Sequence, residues 1–301
     1  MDALQKALEN AFAQYANNTA IEVENHSVTY AELKNQSQRL FEFLKAEKIG
    51  GGANSLIVFG YRELEAYISI LACVLGGITF IPLNPKFPNE KLKNIIERTD
   101  NAPLLLCPSC VESFKKLGDS LPSLQIFSFN DTQSLQKQFP KHQFVAIPNL
   151  LENPKSQNAE SLNQESQAQD TPAYLLFTSG STGIPKGVLV SRANLAHYCQ
   201  RIESLYHFAP KDRISQFFDM TFDLSMHDIF CTLLCGATLV VIPHKNLLNP
   251  IPFLASKGSL AELLIAPSFL SKFLISFCSF CAKSINDKIS AFNSFNSLLY
   301  L

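Results

Sequence analysis

Short apolar runs alternate with amphipathic helical stretches along this chain, and this alternation is the feature that most restricts its fold. Five apolar runs have the length and composition of buried strands, at 56–59, 104–106, 174–177, 237–242 and 263–265. Apolar residues at helical spacing fill the intervals, as in 64–74 and in 192–206. Thr29 with Glu32 resembles a capping box that opens a helix, and Ser191 can cap the helix that begins at Arg192. The pattern predicts an α/β protein with doubly wound, mostly parallel sheets and flanking helices.

The chain has 301 residues, which is enough for more than one hydrophobic core. One stretch, residues 152–171, is rich in Ser, Gln and Asn and reads as a surface linker. We therefore expect a first α/β subdomain over 1–151, a polar linker over 152–171 and a second α/β subdomain over 172–301 that carries a phosphate-binding loop.

The charge balance narrows the classes of partner. The chain has 25 Lys and Arg residues and 26 Asp and Glu residues, so its net charge is −1. This near balance of charge argues against a nucleic-acid partner or an anionic membrane surface. The first residues show no secretory signal, so we expect a cytoplasmic protein with reduced thiols. The uncharged stretch 66–85 is long enough to span a bilayer, but Gly76 and Gly77 divide it into a helical half and a strand-like half. We predict no membrane span.

Two C-x-x-C pairs stand among the eight cysteines, Cys107 with Cys110 and Cys278 with Cys281. A zinc ribbon needs its second pair about 15–20 residues after the first. These two pairs lie far apart and have no His pair nearby, so no metal site is predicted from them.

A glycine-rich turn directly after the apolar run 174–177 carries the clearest chemistry. Small residues let backbone N–H groups approach a phosphate, hydroxyls donate to its oxygens and a Lys adds positive charge. The expected phosphate-binding residues are Thr178, Ser179, Gly180, Ser181, Thr182, Gly183 and Lys186. The turn is not a Walker A loop, because Pro185 and Gly187 replace two of its required residues. A plain hairpin turn uses similar residue types, but the dense hydroxyls and the Pro-Lys-Gly end favour phosphate binding.

The stretch Tyr174–Gly187 resembles the signature of the adenylate-forming, AMP-binding superfamily. That superfamily includes amino-acid adenylation domains of peptide synthetases, D-alanine–carrier-protein ligases and acyl-CoA synthetases. Three further stretches, 28–33, 75–85 and 222–230, resemble other core motifs of the family and follow in the required order. The resemblance covers the chain to about Phe273.

This resemblance implies a two-step reaction that uses ATP and Mg²⁺. A carboxylate attacks the α-phosphate of ATP to give an acyl-adenylate and pyrophosphate, and a thiol then takes the acyl group. The thiol belongs to a phosphopantetheinyl carrier protein or to CoA. The loop residues hold the leaving phosphates, and Lys186 is the expected catalytic residue.

Asp223 matches the family position that binds the α-ammonium group of an amino-acid substrate. A partly shielded carboxylate suits a compact cation. A local interpretation is compatible with this one: Ser225 and Asp228 fit a helix N-terminus, and Asp223 favours that turn. We expect His227 to pack or to line a pocket wall, and Arg62 to be structural or solvated.

The family's later elements are absent after Pro267 and Ser268. The Y-G-P-T-E-like motif, the ribose-binding Asp and the lid domain with its catalytic Lys do not appear, and the residues 297–301 read like an interrupted core strand. We therefore expect the N-terminal part of an adenylate-forming core, truncated before the barrel and the lid, with weak or no activity alone. The complement would be a separately encoded C-terminal half. A fatty- or aryl-acid–CoA ligase fragment, and a non-catalytic nucleotide-binding remnant or complementing subunit, are the alternatives.

Overall fold

A computed structural model describes residues 1–49, 55–100, 102–149, 171–178, 185–247 and 253. The chain separates into two units, Met1–Leu247 and Leu248–Leu301. The account below concerns the first unit, since Phe253 is the one described residue of the second. The predicted strand at 263–265 and the pair Cys278 and Cys281 lie outside the described residues.

Strands and helices alternate through the described residues. The strands are β1 (Thr19–Val23), β2 (His26–Thr29), β3 (Ser55–Phe59), β4 (Thr79–Leu83), β5 (Leu104–Leu106), β6 (Gln125–Ser128), β7 (Gln143–Ala146), β8 (Pro172–Thr178), β9 (Lys186–Ser191), β10 (Arg213–Gln216) and β11 (Thr238–Val241). The helices are α1 (Ala3–Gln14), α2 (Tyr30–Ala46), α3 (Leu64–Gly76), α4 (Asn89–Glu97), α5 (Val111–Lys115), α6 (Thr132–Gln138), α7 (Arg192–Tyr206), α8 (Leu224–Met226) and α9 (Thr232–Leu234). A single π-helical segment, His227–Cys231, joins α8 to α9.

The larger sheet has seven strands in the order β7-β6-β5-β3-β4-β8-β9. Its neighbours are parallel except for β8 and β9, which form an antiparallel pair. The smaller sheet has four strands in the order β10-β11-β1-β2, and only β1 and β2 run antiparallel there. The predicted α/β class with mostly parallel sheets and flanking helices is confirmed.

The two sheets do not divide at 152–171 as the predicted subdomains do. Strands β1 and β2 come before that stretch but pair with β11. Strands β8 and β9 come after it but complete the larger sheet beside β4. Local alternation indicates parallel strands, but it does not say which strands become neighbours, because pairing depends on contacts distant in sequence.

Local sequence chemistry explains the ends of the principal helices. Thr29 and Glu32 form a complete capping box at the start of α2, as the sequence predicts. The Ser191 hydroxyl accepts the Asn194 N–H at the start of α7, also as predicted. Helix α3 ends at Gly77, whose φ of 65° is the left-handed conformation that glycine adopts without steric cost.

Helix α3 is the centre of the core. Every residue from 66 to 76 is buried, and the helix packs on α2 and on strands β3 and β4. A helix that is apolar on all faces belongs inside a protein or a membrane. Here α3, Gly77 and β4 account for the uncharged stretch 66–85 as a buried helix, turn and strand. Among the described residues, no helix is long and apolar enough to cross a membrane.

A buried ion pair connects the start of the chain to α7. Asp2 accepts the Gln5 N–H as the cap of α1 and lies 2.5 Å from Arg192 Nε. Both side chains are almost fully buried, at 3% and 0% exposure. Arg192 also donates to the carbonyl of Val74 at 2.7 Å. Through these contacts one side-chain pair joins α1, α3 and α7.

Candidate functional site

The carboxyl ends of β3, β4 and β8 meet at one border of the larger sheet, which we call the carboxyl edge. Phe59 pairs with Leu83 in the parallel register of β3 and β4. Phe80 pairs with Tyr174 in that of β4 and β8. Because β4 and β8 are parallel, Asn84, which follows β4, and Thr178, the last residue of β8, lie toward the same edge. In open α/β sheets, ligands bind at such an edge.

Thr178 and Lys186 are brought together at the base of the glycine-rich turn. They are paired residues of the antiparallel strands β8 and β9, and the Thr178 hydroxyl lies 3.4 Å from the Lys186 carbonyl. Both side chains are exposed. The other predicted phosphate-binding residues lie outside the described residues: Ser179, Gly180, Ser181, Thr182 and Gly183.

Asp223 stands directly before α8, between the exposed Phe222 and the buried Leu224. Its own side chain is half-buried. Burial raises the pKa of its carboxyl group, and interactions with the backbone N–H groups of Leu224 and of Asp223 itself act in the opposite direction. A carboxylate shielded in this way gains from a cationic partner, because the partner offsets the lost hydration.

The two polar residues near Asp223 do not cap the helix as the local interpretation has it. The Ser225 hydroxyl donates to the Phe222 carbonyl at 2.6 Å. Asp228 instead accepts the backbone N–H groups of Phe217 and Phe218, at 3.0 and 3.4 Å. Burial raises the pKa of Asp228 to about 8. Asp228 therefore stabilises the segment that follows β10.

His227 is a buried, neutral side chain. Its Nδ1 lies 3.0 Å from the Tyr198 hydroxyl, and the Phe208 ring meets its ring edge-on. Burial lowers the pKa of His227 to about 4, so the imidazole carries no charge at neutral pH. This placement agrees with the packing role expected of His227.

Polar residues at the carboxyl edge also include a set that sequence reasoning missed. Asn84 donates to the Asp219 carboxylate and accepts the Lys86 N–H at 2.8 Å. The other Asp219 oxygen accepts the Thr221 N–H and hydroxyl, at 2.9 and 2.6 Å. Asn84 lies in the stretch 75–85, three residues after the strand-like run 78–81, and that position was the available signal. Asp219 gave none, because β10 was not recognised as a strand.

Arg62 is buried rather than solvated. It is 8% exposed and has a φ of 50°, a left-handed backbone that is uncommon outside glycine. Its guanidinium group donates to the carbonyls of Gln216 and Ile242, at 2.9 and 3.1 Å, and to that of Phe217. Arg62 thus connects the end of β3 in the larger sheet to the ends of β10 and β11 in the smaller one.

The cysteines of the described residues are all buried free thiols. Burial raises the pKa of Cys107 and of Cys110. Within the described ranges, no group of three His, Cys, Asp or Glu side chains is placed to hold a metal ion.

Comparison with known protein families gives a match over most of the chain. The model of the AMP-binding enzyme family matches residues 8–273 of the chain. The chain is 29% identical over 279 residues to malpinin synthetase of Mortierella alpina. This aligned region covers 89% of the chain and 3% of malpinin synthetase. It is 30% identical over 242 residues to the nonribosomal peptide synthetase sidC of Arthroderma benhamiae, covering 80% of the chain and 4% of that protein.

Solved structures show the same fold. The Vibrio cholerae adenylation domain AlmE, solved in complex with glycyl-adenosine-5'-phosphate, has a TM-score of 0.73 and 28% sequence identity. The match covers 84% of this chain and 48% of the AlmE chain. The structure of IdnL7 has a TM-score of 0.69 and 25% identity, over 85% of this chain and 48% of that one. The chain therefore spans about half the length of these solved relatives.

Proposed function

We propose, from the premise that the chain belongs to the AMP-binding enzyme family, that its site serves the ATP-dependent adenylation of an amino acid. In this reaction a carboxylate oxygen of the amino acid bonds to the α-phosphorus of ATP. The bond from that phosphorus to the bridging oxygen breaks, and pyrophosphate leaves with the electron pair. The carboxylate needs no general base, because it is already ionised at neutral pH.

The glycine-rich turn is the proposed phosphate site. Thr178 and Lys186 lie together where the turn leaves the sheet, at the edge at which β4 also ends. A hydroxyl donor and a mobile cation there, with Ser179–Gly183 between them, suit the charge that develops on departing pyrophosphate. We assign Lys186 to stabilising that charge.

The observation that carries the amino-acid proposal is the half-buried carboxylate of Asp223, whose pKa burial raises. An α-ammonium group placed against it would favour the ionised form and gain a charge-assisted hydrogen bond. A fatty or aryl acid has no such group. Asp223 is therefore assigned to substrate selection.

The acyl acceptor that we propose is the thiol of a phosphopantetheinyl carrier protein, with CoA as the other acceptor of the same chemistry. Mg²⁺ is proposed as the ion that accompanies ATP. The described residues offer it no cluster of three ligands, so we assign it no protein donor. Since the chain spans 48% of the AlmE chain, we also propose that residues supplied from outside this sequence complete the site for full activity.

The test compares wild type with Asp223→Asn and with the charge-matched control Asp131→Asn. Asp131 is the exposed cap of α6, and Asn caps a helix equally well. The measurements are the affinity for glycyl sulfamoyl-adenosine and for ATP, together with amino-acid-dependent exchange of labelled pyrophosphate into ATP. Asp223→Asn should weaken the glycyl analogue at least tenfold, roughly the value of one charge-assisted hydrogen bond, and leave ATP binding unchanged.

The results separate the competing functions. Pyrophosphate exchange that depends on an acid without an amino group, and is insensitive to Asp223→Asn, would identify a fatty- or aryl-acid ligase. ATP binding without affinity for the glycyl analogue, and without pyrophosphate exchange on any of the twenty amino acids, would identify a nucleotide-binding remnant. Either result would refute amino-acid adenylation by this site.

A further inference from the structure

The chain between β10 and Asp223 is held in place by buried side chains. We call residues 216–219 the β10 exit segment. Arg62 approaches this segment from the larger sheet and binds two of its carbonyls, those of Gln216 and Phe217. It also binds the carbonyl of Ile242, which follows β11. One guanidinium group therefore fixes the ends of two strands of the smaller sheet.

The N–H groups of the same segment are bound from the other side. Asp228 accepts those of Phe217 and Phe218 through one carboxylate oxygen. The Gln216 side chain donates to the Phe218 carbonyl and accepts from the Tyr67 hydroxyl at 2.9 Å. The Gln216 carbonyl also accepts the Ile242 N–H at 3.4 Å, beside β11. The peptide groups of Phe217 and Phe218, which follow β10, are instead bound by side chains. Irregular backbone held in this way has one preferred position.

The segment continues directly into the proposed substrate site. Asp219 at its end is bound by Asn84 of the carboxyl edge, and Asp223 follows four residues later. A displacement of the β10 exit segment would move Asp223 relative to Thr178 and Lys186, which lie at the same carboxyl edge. The geometry of the amino-group site therefore depends on the contacts that hold this segment.

We propose that Arg62 is a positioning residue of the adenylation site, which holds the β10 exit segment so that Asp223 meets the α-ammonium group of the substrate. The inference rests on the proposed function. Arg62 acts through protein carbonyls, to which its planar group donates in several fixed directions. A lysine offers the charge without that fixed geometry.

The experiment compares Arg62→Gln and Arg62→Lys with the matched control Arg213→Gln. Arg213 lies at the opposite end of β10 and pairs with Glu22 at 2.7 Å on a half-exposed surface. Tyr67→Phe removes one hydroxyl from the same network and serves as a milder variant if Arg62→Gln fails to fold. Each 301-residue variant is examined by hydrogen exchange of peptides covering 217–223, and by its affinity for ATP and for glycyl sulfamoyl-adenosine.

We expect Arg62→Gln to accelerate exchange over 217–223 and to weaken the glycyl analogue about tenfold, while ATP affinity changes less than about twofold. Arg62→Lys should exchange more slowly over 217–223 than Arg62→Gln and should bind the glycyl analogue more tightly. Arg213→Gln should leave exchange over 217–223 and both affinities as in wild type. Tyr67→Phe should accelerate exchange to a smaller extent than Arg62→Gln.

Two results would overturn the inference. One is unchanged exchange over 217–223 in folded Arg62 variants, and the other is an equal loss of affinity for ATP and for the glycyl analogue, which marks a general structural role. A wild-type chain that binds neither ligand, alone or mixed with the C-terminal half of a related adenylation domain, overturns the proposed function, and the role assigned to Arg62 falls with it. A wild type that binds both ligands, with Arg62 variants that bind them equally well, refutes the positioning role alone.

Discussion

Replacing Asp2 with alanine should destabilise the protein far more than its place at the start of the chain suggests. The substitution removes the only carboxylate that the structure places against Arg192 among the described residues, at 2.5 Å. Arg192 has no exposed side-chain surface, so its charge would remain buried without an ionic partner. Removing one member of a buried ion pair costs about 3–5 kcal/mol. Loss of the α1 cap adds about 1 kcal/mol.

Urea unfolding followed by circular dichroism measures this loss. Asp2→Asn keeps an oxygen that can cap α1 but removes the charge, so comparing it with Asp2→Ala isolates the cap. The matched control is Glu9→Ala on the same helix, since Glu9 pairs with Lys34 at 2.8 Å on a partly exposed surface. That pair contributes at most about 1 kcal/mol.

A second variant tests the physical reason. In Asp2→Ala with Arg192→Met, no buried cation remains, so the double variant should be at least as stable as Asp2→Ala alone. An Asp2→Ala protein that loses no more stability than Glu9→Ala would refute the reasoning. The reasoning would also be refuted if the loss of stability in the double variant equalled the sum of the losses in the two single variants.

Three further predictions concern stability. Burial raises the pKa of Asp228 to about 8, well above the usual value for an aspartate, so between about pH 4 and pH 8 the unfolded chain releases a proton that the folded protein keeps. The contribution of this residue to the free energy of unfolding therefore falls as the pH rises through that range. Asp228→Asn should remove that part of the slope in urea unfolding at pH 5 and pH 8, and an unchanged slope would contradict the raised pKa. Thr29→Ala should cost about 1 kcal/mol through loss of the capping box, measured in the same way, and a neutral effect would show that the box contributes nothing. Gly236→Ala should lower the thermal midpoint, because Gly236 has a φ of 84° and a Cβ there would lie 2.4 Å from the Tyr15 ring; an unchanged midpoint would show that the ring yields freely.

The parts of the fold that sequence predicts are those set by local chemistry. Helix α2 begins where Thr29 and Glu32 predict it, and α7 begins after Ser191 as expected. Strand β10 was missed, because Arg213–Gln216 contains a single apolar residue. It is a strand because it pairs with β11, and that pairing is invisible in a local window.

The same distinction applies to the candidate site, where sequence predicts the residues of local motifs and misses those placed by distant contacts. The glycine-rich turn and Asp223 belong to contiguous motifs, so sequence reasoning found them. Arg62 binds the carbonyls of residues about 150 positions away along the chain, and no sequence pattern around Arg62 predicts those partners. Its left-handed backbone, too, is visible only in the structure. Residues that position a site through backbone contacts leave little trace in a single sequence.

The pairing of β1 with β11 has a consequence for the order of events during synthesis. Ile21 lies beside Leu239, so the two inner strands of the smaller sheet, β1 and β11, come from opposite ends of the sequence of this unit. At about 5–20 residues per second, a ribosome needs about 10–40 s to make the chain between them. For that time β1 and β2 form at most an isolated hairpin, which is marginally stable in water and presents unpaired strand edges. Of the two described sheets, the smaller one is therefore completed last, and one edge of β1 stays open to association with other chains until β11 emerges.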